Sequence, residues 1–319
     1  MLRTALIKAS ESQWLERQIS GRRITRDITL RFVAGETLEQ GLEVTRELAA
    51  TGRSVTFDYL GEAVNTEAEA RGAAKMYLEA IDRIGEEGLA FGVSVKPTQM
   101  GLAFAPALCL ELLADIAAAA ERLPDTSTDP DRPSGDAHVT IDMEGTNVTE
   151  ATVKLVEDLH AAGHTGVGCA IQSYLHRTRA DSERLSTLAS GGASLRLCKG
   201  AYAEPAEVAY QSRAEVSRSY EQCADYLLQH GRYPRFATHD DVLIDYIRNR
   251  AAQLGKDRSE FEFQMLYGIR TPLQQALVRD GYRVRVYVPF GDQWYPYFMR
   301  RLAERPANLT FFLRALVSR

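Results

Sequence analysis

The sequence predicts a distorted (β/α)₈ barrel of the α/β class. Three observations predict it. The 319 residues suit one large α/β domain, and from about residue 54 onward short apolar runs alternate with longer helical patterns. No phosphate-binding glycine fingerprint follows the first strand: Asp58–Asn65 reads DYLGEAVN, whereas an open doubly wound sheet would carry GxGxxG there.

The elements follow in order. The strands are expected at Val55–Leu60, Ala90–Val95, His138–Met143, Gly166–Gln172, Ser194–Cys198, Arg235–Thr238, Glu260–Leu266 and Arg283–Val288. Between them, Ala- and Leu-rich segments with helical periodicity cover Glu67–Ile84, Gly101–Arg122, Glu150–Ala162, Arg179–Ala189, Pro205–His230, Asp241–Leu254 and Pro272–Asp280. Residues 1–52 read as mostly helical and too short for a second large domain, so they are expected to flank a catalytic barrel over 53–319. The stretch Leu123–Ala137, rich in Asp, Pro, Ser and Thr, reads as a surface loop entering the third strand.

Composition removes several function classes. A net charge of -5, with no long basic run outside Arg22–Arg26, argues against nucleic acid as the main partner. Cys109, Cys169, Cys198 and Cys223 form no CxxC pair and nothing resembles a secretory signal, so reduced thiols on the cytoplasmic side are expected. No apolar stretch approaches the ~20 residues that cross a bilayer. The six histidines include no HExxH, and no metal site is expected.

Barrel enzymes carry their chemistry where strands end and βα loops begin, and these strand ends are polar. The second ends at Ser94 and Lys96, the third at Asp142, Met143 and Glu144, and the fourth at Gln172, Ser173 and Tyr174. The fifth runs Arg196–Tyr202, the sixth ends at Thr238, His239 and Asp240, the seventh holds Glu262 and Gln264 before Leu266, and the eighth presents Tyr287. Any one of these could be a structural polar residue; so many strands together indicate a site. Lys96, Arg196, Lys199, Arg300 and Arg301 outnumber Asp142, Asp240 and Glu304 around that mouth, a surplus suited to two anions. Lys199–Gly200–Ala201 sets a lysine beside backbone N–H groups that an anion can approach, although KGA alone is a weak phosphate signature.

After the eighth strand, Pro289 and Gly291 lead into a short helix that accepts Pro296 only in its first turn and is stopped by Pro306. Tyr297, Arg300, Arg301 and Glu304 recur at spacings of three and four, hence on one face. Two permanent cations with a phenol suit an anionic carboxylate; a solvated face with an Arg300–Glu304 pair is the plainer alternative.

Together these residues resemble the proline dehydrogenase family. The resemblance runs through RFVAGET (Arg31–Thr37), FDYLGE (Phe57–Glu62), SVK, IDME, AIQSY, LRLCKGAY, FATHD, FEFQMLYGI, VYVPFG and YFMRRLAERPANL, and so covers nearly the whole chain. It implies FAD-dependent oxidation of L-proline to Δ1-pyrroline-5-carboxylate, with FAD across the strand C-termini and electrons passed to a membrane quinone. It also implies a monofunctional bacterial enzyme, cytoplasmic and peripheral at the inner face of the membrane.

By motif position, Arg300, Arg301 and Lys96 would bind the proline carboxylate, Tyr287 and Leu266 would pack on its ring, and Tyr297 would close over it. Glu304 would belong to the same lid. Arg196 would lie beside flavin N5, Gln172 would bond the pyrimidine edge, and Met143 would line the flavin. Lys199, Gly200, Ala201, Thr238 and His239 would hold the ribityl and diphosphate region, with Tyr202 offering a flat face. Asp142 would pair with Lys96. At Ala203 the family's fusion members carry an aromatic residue, so the adenine-side contacts are left unassigned.

Either solvent or Asp142 could take the proton from the secondary amine. Three other readings are open on residues alone: a Schiff-base aldolase using Lys199 or Lys96, a ligand-binding barrel, and 4-hydroxyproline as substrate. Against the last, the resemblance implies that Tyr287 fills the space of a ring hydroxyl. The segment TFFLRALVSR (Thr310–Arg319) has an apolar face that could lie on a membrane or pack on the barrel.

Overall fold

A computed structural model describes residues 29–61, 64–89, 91–123 and 139–304. Eight strands close into a barrel in chain order: β1 (Ser54–Tyr59), β2 (Phe91–Val95), β3 (Val139–Ile141), β4 (Val167–Gln172), β5 (Leu195–Cys198), β6 (Arg235–Ala237), β7 (Glu262–Leu266) and β8 (Arg283–Phe290). Every ladder is parallel, and β8 closes on β1 over six pairs from Ser54↔Arg285 to Tyr59↔Phe290. The helices described are α1 (Leu38–Ala49), α2 (Glu67–Glu87), α3 (Pro106–Glu121), α4 (Thr146–Ala161), α5 (Thr178–Ser186), α6 (Arg213–His230), α7 (Asp241–Gln253), α8 (Thr271–Arg279) and α9 (Tyr295–Glu304).

Side-chain alternation sorts each strand into two faces. Val55, Phe57, Val93, Val95, Val139 and Ile141 are buried in the apolar core shared with the surrounding helices. The intervening positions are polar. Arg196 on β5 reaches Ser94 on β2 at 2.8 Å, and Arg235 on β6 reaches Thr140 on β3 at 2.6 Å. These strands share no ladder, so their side chains meet across the barrel axis. Many barrels fill this space with Val, Ile and Leu; here a hydrogen-bonded polar network fills it.

Local signals explain the helix starts. Capping boxes at Thr37/Gln40, Thr66/Glu69 and Ser212/Glu215 begin α1, α2 and α6. The Ser212 cap is why α6 begins at Arg213 and not at Pro205 as the periodicity suggests; Val208 and Ala209 instead form a turn, with Ala209 bridged to Leu175. Likewise α3 begins at Pro106, not Gly101, because Gly101 has a φ of +91° and Pro106 occupies the first turn. β8 runs two residues past Val288, and the Pro289 carbonyl accepts the Ala34 N–H at 2.9 Å. That bond ties the segment before α1 to the barrel. α1 lies close on the wall: a Cβ at Gly41 would sit 2.8 Å from the Phe57 ring.

The C-terminal helix α9 has an apolar cluster of its own. Trp294, Tyr295, Tyr297, Phe298 and Met299 pack with Phe32, Val33, Leu60 and Ile269, and Leu266 and Tyr287 touch the cluster from the barrel. The segment Thr310–Arg319 and most of residues 1–52 lie outside the described residues.

Candidate active site

Four of the expected residues converge where strands β1, β2, β3, β5 and β8 end. Lys96, directly after β2, is 6 % exposed. Its ammonium lies 2.5 Å from Asp58 Oδ1, 3.5 Å from Asp142 Oδ2 and 3.5 Å from the Tyr287 hydroxyl. Asp142 Oδ1 accepts from Ser94 Oγ at 2.5 Å and from Arg196 Nη1 at 2.9 Å, while its Oδ2 accepts from Tyr287 Oη at 2.9 Å. Arg196 Nε donates to Gln264 Oε1 at 2.6 Å, and the guanidinium carbon stands 5.4 Å from the Tyr287 ring centroid.

Electrostatics fix the charge states. Burial alone would raise the Asp142 pKa, but Lys96 and Arg196, with hydrogen bonds from Ser94 and Tyr287, bring it below the ordinary carboxylate value. Burial opposes the Lys96 charge too, yet Asp58, Tyr287 and Asp142 hold its pKa well above that of a free lysine. Asp58 goes the other way: burial raises its pKa despite Lys96. Burial, Asp142 and Asp58 keep the Tyr287 phenol neutral. Lys96 is thus a fixed cation, and both Asp142 oxygens are already engaged.

Asp58 is the residue that sequence reading passed over. It lies in the motif FDYLGE, inside the first strand and before its end. Alternation carries the signal, since Thr56 and Asp58 share the polar face of β1. Ser94 and Gln264 are polar strand positions whose partner the sequence does not name; both bond Arg196.

A second group occupies the ends of β4, β5 and β6. Gln172 Nε2 donates to the Met143 carbonyl at 2.8 Å, leaving Gln172 Oε1 buried with no hydrogen-bond partner among the described residues; Arg196 Nη2 is in the same condition. A buried acceptor and a buried donor on neighbouring strands call for a ligand bearing both complementary groups. Gly200 has a φ of +105°, and a Cβ there would sit 2.2 Å from the Tyr174 ring. Only glycine lets the Lys199–Ala201 backbone lie flat on that ring. Ala201 and Tyr202 follow, partly exposed. Lys199 pairs with Asp240 at 2.7 Å, and Asp240 also caps α7 through the Val242 N–H. Thr238 is buried, and His239 Nε2 accepts the Leu266 N–H at 3.0 Å, which joins this group to the first.

On α9, Tyr297 is 5 % exposed, and the Arg301 guanidinium carbon lies 5.1 Å from its ring centroid. Leu266 and Tyr287 reach the same cluster. Arg300 and Glu304 belong to α9, but their side chains lie outside the described residues.

A family model described as proline dehydrogenase matches residues 42–314. The chain belongs to the proline dehydrogenase family. Proline dehydrogenase 1 of Bacillus subtilis is 37% identical over 289 residues, which span 91% of this chain and 90% of that protein. The proline dehydrogenase of Deinococcus radiodurans is 34% identical over 291 residues, 90% of this chain and 89% of that one. Among solved structures, proline utilization A of Bdellovibrio bacteriovorus superposes with a TM-score of 0.76 at 25% identity, covering 87% of this chain. The chain spans 32% of that longer protein. The barrel and the enzymatic character of the family are therefore those of this chain.

Proposed function

We propose that the protein oxidises L-proline to Δ1-pyrroline-5-carboxylate with FAD as cofactor and passes the electrons to a membrane quinone. The observation that carries this reading is the mouth itself: a fixed Lys96 cation and a neutral Tyr287 phenol beside Arg196 and Gln172, each with a buried polar atom unpartnered among the described residues. Membership of the family supplies the substrate.

FAD, when bound, supplies the hydride acceptor. Met143, Gln172 and Arg196 would hold its ring system. Lys199, Gly200, Ala201, Tyr202, Thr238 and His239 would hold its chain and diphosphate. Arg196 brings a guanidinium to the place where negative charge develops on reduction, a preorganised electrostatic contribution.

Substrate positioning falls to Lys96 and α9. Lys96, Arg300 and Arg301 bind the carboxylate, Leu266 and Tyr287 pack on the ring, and Tyr297 backs Arg301 with its aromatic face, with Glu304 on the same helix. Asp142 acts as an orienting group. Its oxygens are occupied by Ser94, Arg196 and Tyr287, and its pKa is depressed, so the amine proton passes to solvent.

The aldolase reading loses ground here, because Lys96 is held protonated and Lys199 is engaged with Asp240. A Tyr287 ring seated in the mouth supports proline over 4-hydroxyproline. Peripheral attachment at the inner face of the membrane completes the proposal; no described helix is long and apolar enough to cross a bilayer.

The test is the visible spectrum of the purified protein before and after anaerobic L-proline. Flavin bands that bleach on addition are expected. A colourless protein, or bands indifferent to proline, rejects the reading.

A further inference from the structure

Below the mouth the barrel holds further buried charges that the proposed reaction does not use. Glu262, the first residue of β7, is 1 % exposed. Its Oε1 accepts from Arg285 Nε at 2.8 Å and from Gln264 Nε2 at 2.5 Å, and its Oε2 accepts from Tyr233 Oη at 3.3 Å. Burial alone would raise its pKa, but Arg285 and Arg235 bring it down to about 2, so the carboxylate is charged throughout the neutral range. Arg285 is anchored in turn to the Val55 carbonyl at 3.1 Å.

Gln264 stands between this floor and Arg196. Its Nε2 donates downward to Glu262 and its Oε1 accepts from Arg196 Nε at 2.6 Å. Turning the amide over would set its NH₂ against the guanidinium and its oxygen against the carboxylate, replacing two attractive contacts by two repulsive ones. The floor carboxylate therefore dictates which end of the amide faces Arg196. With Nε on Gln264 and Nη1 on Ser94 and Asp142, the guanidinium plane is held at two of its three nitrogens, and Nη2 remains.

We propose that Glu262 and Gln264 are positioning residues for Arg196: the floor carboxylate orients the amide, and the amide holds the guanidinium so that Nη2 is presented to the bound cofactor. The proposal rests on the reading of Arg196 as the group beside the flavin. A carboxylate at the bottom of the barrel thus acts on the reaction at the top without touching substrate or cofactor. A merely structural floor would need the Glu262–Arg285 pair and nothing oriented toward Arg196.

The test uses the full chain with FAD bound. Gln264→Met keeps the volume and removes both hydrogen bonds. It is expected to retain FAD, to slow flavin reduction by L-proline about tenfold or more, and to make the midpoint potential of the bound flavin more negative. Glu262→Gln, which lets the amide turn, moves rate and potential in the same direction, and stands in should Gln264→Met not fold. The exchanged double variant, Glu262→Gln with Gln264→Glu, keeps the net charge. It replaces the amide oxygen that accepts from Arg196 Nε by a carboxylate oxygen and lets an amide oxygen accept from Arg285 Nε, so both acceptors are kept with the partners exchanged, and it recovers most of the rate and potential.

Arg196→Lys separates the two levels of the argument. If it shifts the potential and Gln264→Met does not, positioning by the floor is overturned. If neither shifts it, the placement of Arg196 beside the flavin fails and takes the proposal with it. Single variants that lose rate in proportion to melting temperature, with no recovery in the exchange, mean a structural floor only and overturn the proposal.

Discussion

Lys96 is bonded to Asp58 at 2.5 Å and stands a full ångström farther, 3.5 Å, from Asp142. Its principal counter-ion therefore comes from β1, and Asp142 is free to serve Arg196, Ser94 and Tyr287. Removing one partner of a buried ion pair leaves the other uncompensated, at a cost of about 3–5 kcal/mol. Asp58→Asn is expected to lower the melting temperature and to weaken proline binding by letting Lys96 swing toward Asp142. Thermal unfolding and titration of flavin bleaching with proline measure the two effects. A variant with native melting and native affinity contradicts the pairing.

Asp142 gives a pH prediction with a definite sign. Its folded pKa lies below the ordinary carboxylate value, so its stabilising contribution is present above that ordinary value and is lost as pH falls through the folded one. The loss of stability on acidification should therefore be steeper for the native protein than for Asp142→Asn, seen as melting temperatures measured from about pH 5 downward through the acid range below the ordinary carboxylate value. The variant should also lose turnover while the pH profile of flavin reduction by proline keeps its shape, because solvent takes the amine proton. A profile that loses its acid limb assigns the base role to Asp142 after all.

In the proposed reading Arg301 would make a charge-assisted contact with the proline carboxylate, of the kind worth ~1.5–3 kcal/mol. Arg301→Met should raise the proline concentration for half-maximal flavin reduction by about ten- to a hundredfold while FAD stays bound. Unchanged proline affinity would falsify the assignment of α9 to substrate binding.

Gly200 predicts a cofactor defect with the opposite signature. A φ of +105° strains any L side chain by about 1–3 kcal/mol, and the added methyl would meet the Tyr174 ring. Gly200→Ala should release FAD on dilution or gel filtration. Once FAD is resupplied in excess, its proline affinity should be close to native. Tight FAD retention by this variant would remove the Lys199–Ala201 segment from the cofactor site.

Much of this was legible in the sequence because strand alternation is a local signal. All eight strands lie within about two residues of their expected bounds, since Val55, Phe57, Val93 and Val95 mark the wall while Thr56, Asp58, Ser94 and Lys96 mark the interior. The Arg301–Tyr297 contact was legible for the same reason, being a spacing of four on one helix. Partners across the barrel were not. That Lys96 turns first to Asp58, or that Gln264 bridges Glu262 and Arg196, depends on which strands face each other after closure. The early start expected for α6 failed differently: Pro205–Gln211 has helical composition, but the Ser212 cap sets where the helix begins.

The polar filling of the barrel has a bearing on how this protein can be altered. Arg196, Arg235 and Arg285 each bond a group on another strand, so exchanging one of those partners for a larger apolar residue strands a charge elsewhere. Attempts to make a more heat-resistant form should leave the lumen alone and work on the outer shell between strands and helices, where Val, Ile, Leu and Ala meet and one change is felt only by its neighbours.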